Sequence, residues 1–269
     1  MSSQAGGERE RFLAEVPGVA DVVGIGGGIA GCATAYHLAR RGVHVVVCER
    51  RAVAEEQSGR NWGLVQRQGL NLAAVPFMVE SSKIWRALEQ ELGAGIDWVQ
   101  GGNLILAADE ARLTVLKKWL DGARGFDLDT KLLGGAEVAE LIPSLGSRFV
   151  GGLYTASDGH ADPVKTTRAF CQAAIKHGAS IFTWCPVESI ATSDGEVSGV
   201  VARRGAIRAK CVVCAAGDWS ARLLRPLGLS LPIRFCLEPI VGRLLGELIV
   251  DRNPSLDLHP FRFSRFAGR

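Results

Sequence analysis

The run 21–50, DVVGIGGGIAGCATAYHLARRGVHVVVCER, constrains the fold more than any other stretch of the chain. It reads as strand, glycine turn, helix and strand, closing on an acid. Gly26, Gly28 and Gly31 give the G-x-G-x-x-G spacing, and Glu49 follows close to the distance expected of the acid after the second strand. Gly26 permits the tight turn, Gly28 lets backbone approach a diphosphate, and Gly31 lets helix pack closely on sheet. The helix N-terminus then presents N–H groups and a partial positive charge to phosphate. Glu49 is placed to accept hydrogen bonds from ribose hydroxyls. A glycine turn that binds nothing would not need two apolar strands, a small-residue helix start and a terminal acid together.

Composition sets outer bounds. With 47% hydrophobic and 22% charged residues, the 269-residue chain can bury one large core or two modest ones. A net charge of +3 argues against nucleic acid or an anionic membrane as partner. No apolar run is long enough to span a bilayer, and the first 18 residues lack the apolar centre of a secretion signal, so a cytoplasmic protein is expected. Seven scattered cysteines do not make a disulfide framework. Cys211 and Cys214 form a C-x-x-C inside an apolar strand, without the second pair a zinc site needs, and read as buried packing. His37, His44, His177 and His259 show no ligand spacing, and no metal is expected.

Residues 20–26 and 43–48 are apolar runs typical of parallel strands, with a helix over 29–40 between them ending at Gly42. A polar loop leads to a helix over 76–92 carrying Phe77, Ile84, Trp85 and Leu88 at helical spacing. Strands with a turn at Gly101-Gly102 are expected over 97–107, then a helix capped by Asp109 and running to Leu120, then a loop to a short helix over 137–143. A strand follows at 151–157, and Asp162-Pro163 opens a helix to His177. After Gly178 the pattern turns to β, with Asp194-Gly195 as a hairpin turn and CVVCAAG as a last strand lying beside the glycine turn. Asp218 or Ser220 caps a short helix to Leu227. The dinucleotide half is therefore interrupted by a mixed region, which favours a flavoprotein over a simple nicotinamide dehydrogenase.

Four stretches, VVGIGGGIAG, SGRNWGLVQRQG, GGLYTASDGHADP and CVVCAAGDWS, resemble the FAD-dependent oxidoreductases of the D-amino-acid oxidase type. That group includes glycine oxidase, sarcosine oxidase and the flavin subunits of opine oxidase and hydrogen cyanide synthase. The resemblance implies an α/β fold: a discontinuous Rossmann-like FAD-binding domain (1–75, 151–220 and 239–269) with an inserted, here truncated, α+β substrate domain (76–150 and 221–238). It implies FAD as cofactor. Gly26, Gly28, Ile29, Ala30 and Gly31 would hold the pyrophosphate, Glu49 the ribose, and Arg50 the adenine side. Ser58, Gly59, Arg60, Asn61, Trp62, Gly63 and Leu64 would form the loop to the flavin. The backbone of Val187 would meet adenine, and Ala215, Ala216, Gly217 and Trp219 would lie beside the cofactor. Family members continue after a strand like LPIRF (231–235) with a long stretch of substrate domain, whereas this chain passes at once into a terminal-type helix, GRLLGELI. An internal deletion is therefore expected near Cys236–Pro239.

The implied chemistry is oxidation of a CH–NH bond in an amino acid or related amine by hydride transfer to flavin N5, with the subunits of a heteromeric dehydrogenase as the partners the resemblance offers. Such a site needs little beyond an arginine fork for the substrate carboxylate and a wall to orient the α-carbon. Arg67, Gln68 and His160 are the candidates for facing substrate. Each has a plainer reading, Arg67 as a phosphate- or solvent-facing arginine and His160 as a residue ahead of a helix cap. Two other functions stay open: an FAD-binding fragment or scaffold subunit without activity, and a 2-hydroxy-acid or polyol dehydrogenase on the same fold.

Overall fold

The structure, a computed structural model, describes residues 15–69, 71–229 and 238–262. In chain order the first elements are β1 (Val22–Ile25), α1 (Ile29–Ala39), β2 (Val45–Cys48), β3 (Leu64–Val65), α2 (Val75–Leu92), β4 (Asn103–Ala107), α3 (Glu110–Gly122), β5 (Thr130–Gly134) and α4 (Gly135–Leu141). There follow β6 (Gly151–Thr155), β7 (Gly159–His160), α5 (Pro163–Lys176), β8 (Ser180–Phe182), β9 (Val187–Ser193), β10 (Glu196–Ala202), β11 (Gly205–Arg208), β12 (Cys211–Cys214), α6 (Ser220–Leu224) and α7 (Glu238–Val250). They fall into two compact units: one comprises residues up to Asn61 and from Pro163 onward, the other Trp62–Asp162.

The first unit is built on a parallel sheet of order β12-β1-β2-β8. Val22 pairs with Cys211 on one side and Val45 on the other, so β1 is central. Its residues and those of β2 are buried on both faces, which explains their continuous apolar runs. Val23, Ile25, Val46 and Cys48 pack with Val200, Ala202 and Ile207 of a second, antiparallel sheet of order β11-β10-β9. Between β9 and β10, Asp194 (φ 54°) and Gly195 (φ 82°) take the left-handed turn expected of Asp-Gly. Helix α1 packs between α5 and α7. The α7 contact is close: a Cβ on Gly242 would lie 2.6 Å from the Ala33 Cβ. No side chain larger than hydrogen fits there.

The second unit holds the antiparallel sheet β4-β6-β5 and the two-stranded sheet β3-β7. Ala107, Leu116 and Leu153 form the core under α3. Asp109 caps α3 as expected, accepting from the Arg112 N–H at 2.7 Å.

Several expectations are corrected. The segment 97–107 gives one strand rather than two, because Val99 spends its backbone on a bridge to His160. Strand β5 was expected as loop. Its short TKLLG run becomes a strand only because Thr130 to Gly134 find Thr155 to Gly151 as partners. Neither Asp218 nor Ser220 caps α6, which begins from a 3-10 turn at Gly217–Trp219 without a side-chain cap. Cys211 and Cys214 are half-buried rather than buried, and the six described cysteines are free thiols. The compact units divide at 61/62 and 162/163, with β3 paired to β7 inside the second and helix α6 inside the first. The expected join at Cys236–Pro239 lies mostly outside the described residues.

Candidate cofactor site

At the C-terminal end of β1 the chain turns at Gly26 with φ +112°, a conformation that L side chains rarely adopt. A Cβ there would strike the Ala215 carbonyl oxygen, and a Cβ on Gly31 would strike the Gly26 carbonyl oxygen. The turn is therefore pressed against the end of β12 on one side and the first turn of α1 on the other. Helix α1 starts after Gly28 with no acidic residue in its first turn, so nothing on its own surface cancels the partial positive charge at that end.

Glu49 follows β2 and is 9% exposed. Its carboxylate points at the glycine turn, accepting from the Gly27 N–H at 2.5 Å and the Arg51 N–H at 2.6 Å. Two backbone donors fix the carboxylate, and each oxygen keeps acceptor capacity for a further hydroxyl. The Ser58 hydroxyl accepts from the Ile29 N–H at 2.9 Å, which sets the loop after β2 at the mouth of α1. The Ala54 N–H donates to the Gly27 carbonyl at 3.1 Å and ties the same loop to the turn. Arg60 pairs with Glu56 at 3.0 Å, and the Asn61 amide donates to the Gln57 carbonyl at 3.0 Å. Gly59 is required where it stands, since a Cβ there would strike the Ala54 carbonyl. On the far side, the Ala215 N–H continues the ladder to the Ile25 carbonyl at 2.9 Å, and Ala216 and Gly217 lead to a half-buried Trp219. The Arg50 guanidinium lies 3.9 Å from the centre of the Trp219 ring. Val187 opens β9 opposite Ala202 and packs on the sheet core.

In the second unit, Trp62 is 94% exposed, and Gly63 accepts from the Ala161 N–H at 3.0 Å. Leu64 lies opposite His160, whose backbone also pairs with Val99. All three side chains are exposed. Arg67 is committed to two aspartates. It is 5% exposed, with Nε donating to Asp158 at 3.1 Å and Nη2 to Asp129 at 2.8 Å. Its own N–H also donates to the Asp158 carboxylate. Gln68 is equally committed, donating to the Asn103 carbonyl at 2.8 Å and accepting from the Thr155 hydroxyl at 3.0 Å. Asp158 is the buried centre of this network. Burial is the largest influence on its carboxyl and carries it above the usual aspartate range, against the bonds from Arg67. At Asp129 burial acts in the same sense, but the Ser157 hydroxyl and the Arg67 charge outweigh it and hold the carboxyl below that range. No sequence spacing could have signalled this cluster, because its members lie 62 and 91 residues from Arg67.

A parallel sheet whose central strand ends in a glycine turn and helix N-terminus, with an acid at the neighbouring strand end, defines a dinucleotide-binding protein of Rossmann type. The sequence profile of the FAD dependent oxidoreductase (DAO) family matches residues 21–255, and the chain belongs to that family. It is 32% identical over 226 residues to the mitochondrial sarcosine dehydrogenase of Homo sapiens, covering 81% of this chain and 25% of that protein. It is 31% identical over 222 residues to glycine oxidase of Bacillus licheniformis, covering 78% and 57%. The solved L-amino acid deaminase of Proteus myxofaciens, in complex with anthranilate, superposes with a TM-score of 0.76 at 32% identity, covering 81% of this chain and 50% of that one. The chain thus spans a quarter to little more than half the length of these relatives. The family cofactor is FAD, and the residues fit it: only glycine can make the close turn at Gly26 and Gly31, and the acid and hydroxyl converge on one helix mouth. Among the described residues no helix is long and apolar enough to cross a membrane, and no group of metal-binding side chains forms.

Proposed function

We propose that this protein binds FAD at the β1–α1 turn and uses it to oxidise the CH–NH bond of an amino acid or related amine. The observation that carries the reading is the convergence of Glu49, Ser58 and the Gly26–Gly31 turn on one helix N-terminus. In this reading the N–H groups of the first turn of α1 hold the diphosphate, and Glu49 holds the adenosine ribose through its remaining lone pairs. Val187 offers backbone to adenine, and the segments 58–61 and 215–219 flank the rest of the cofactor. FAD, when bound, would supply a two-electron acceptor for the hydride lost from the substrate α-carbon as the nitrogen gives up a proton, and the imine so formed would be hydrolysed by water. The protein's share is positioning and exclusion of water, so no internal acid–base pair is required. The relatives act on, or are named for, sarcosine, glycine and L-amino acids, which supports an amine or amino acid as substrate class.

The second reading is an FAD-binding protein or subunit without turnover of its own. One observation favours it: the Arg67 fork is held by two aspartates. One experiment separates the readings. Purified protein is loaded with FAD and mixed anaerobically with a panel of glycine, sarcosine, proline and D- and L-amino acids while the flavin absorbance is followed. Bleaching by any member supports oxidation. A stable yellow complex that no member bleaches supports the second reading, and a protein that takes up no flavin removes both.

A further inference from the structure

The loop after β2 does more than flank the glycine turn. Since β12 and β2 pair on opposite sides of β1, a contact between the segments that follow them must pass above the C-terminal end of β1. Two such contacts exist. The Arg50 guanidinium lies over the Trp219 ring at 3.9 Å, and the Gln57 amide donates to the Asp218 carboxylate at 3.2 Å. Glu56 fixes the first of them, accepting from Arg50 at 2.8 Å while also pairing with Arg60 at 3.0 Å. The loop is tied down beneath by Ala54 on the Gly27 carbonyl and by Ser58 on the Ile29 N–H.

We propose that residues 50–60 form a strap closed across the diphosphate cradle by the Arg50–Trp219 and Gln57–Asp218 contacts, and that opening this clasp governs how fast the dinucleotide enters and leaves. The four residues are positioning residues for the cofactor. The inference rests on FAD occupying the β1–α1 turn and goes beyond it, because binding at that turn alone does not require a gate. Both contacts are exposed at their edges, and each is of the kind worth a modest factor rather than a lock. A gate held by them opens often enough for exchange yet keeps a bound cofactor through many openings. Because the clasp joins protein to protein, weakening it raises the open population in both directions, so rates change more than affinity.

The test compares the parent chain with Arg50→Ala, Gln57→Ala, Glu56→Gln and the Arg50→Ala/Gln57→Ala pair. FAD association with cofactor-free protein is followed by stopped-flow quenching of flavin fluorescence, and dissociation by a chase with an excess of a second, cofactor-free FAD-binding protein that captures released FAD. Association and dissociation are both expected to quicken about tenfold in the double variant, with Kd moving much less. Glu56→Gln, which leaves Arg50 and Trp219 in place but loosens the guanidinium, is expected to fall between. Hydrogen exchange of 50–60 in the cofactor-free protein is read in parallel and is expected to quicken in the same order. Unchanged exchange and unchanged rates overturn the clasp, as does a loss of affinity carried by faster release alone, which would make these residues direct ligands. If the parent chain binds no FAD, the cofactor reading fails, while the exchange measurement still decides whether the strap is clasped.

Discussion

The two units place their charged groups to opposite ends. In the first, an acid and a helix N-terminus face a mouth, and the acid is held by backbone donors that leave it capacity for another partner. In the second, Arg67 and Asp158 turn inward and satisfy each other, with Asp129 and Ser157 closing the cluster at its edge. The first arrangement stores polarity for a ligand. The second spends it on the fold. A charged residue near a glycine-rich flavin loop is thus no guide to substrate recognition until its partners are known.

The sharpest way to break the contrast is Gly31→Val. Its branched side chain would occupy the position of the Gly26 carbonyl, and FAD retention after gel filtration is expected to vanish. Because that variant also strains the fold, Gly28→Val serves beside it. Its Cβ meets only the Ser58 hydroxyl, at 2.9 Å, so the melting transition is expected to survive while cofactor is lost. In the second unit Asp158→Ala leaves the Arg67 guanidinium buried without its main partner. It is expected to cost about 3–5 kcal/mol in urea unfolding, and replacing both residues by apolar ones is expected to cost much less. A double variant as damaging as the single one would show that the pair does more than cancel its own burial.

Glu49→Gln is expected to act more mildly. It keeps shape but gives up charge-assisted bonds, worth about 1.5–3 kcal/mol, so FAD titrated by fluorescence quenching should bind roughly 10- to 100-fold more weakly. The smallest effect lies in pH. The folded carboxyl of Asp129 titrates below its unfolded value, so its support is present above the ordinary aspartate range and is lost as pH falls through the lowered value. The carboxyl of Asp158 is displaced upward, so its contribution is present below that range and lost as pH rises through the raised value. Melting curves taken from neutral pH down to below about pH 4 should show Asp129→Asn flattening the acid limb and Asp158→Asn shifting it in the opposite sense.

These contrasts also explain what the sequence could reveal. The cradle was legible because its physics is local: the glycine spacing, the apolar strands and the acid all fall within 21–50, and backbone conformation demands those residue types there. The hairpin at Asp194-Gly195 was legible for the same reason. Strand β5 was not, since TKLLG carries no alternation long enough to mark it and depends on β6 for its existence. The partners of Arg67 were not legible because they come from distant points in the chain. The clasp of Arg50 on Trp219 was missed for that reason too, although Arg50 and Trp219 had each been placed near the cofactor.

The central claim is that the turn at Gly26–Gly31, with Glu49 beside it, is where FAD is held. Titration of the cofactor-free protein with FAD, read as quenching of flavin fluorescence, tests it most directly. Saturation at one equivalent is expected in the parent chain, and no saturation in a Gly28→Val protein that melts normally. Undiminished binding by that variant, or no binding by a folded parent chain, would contradict it.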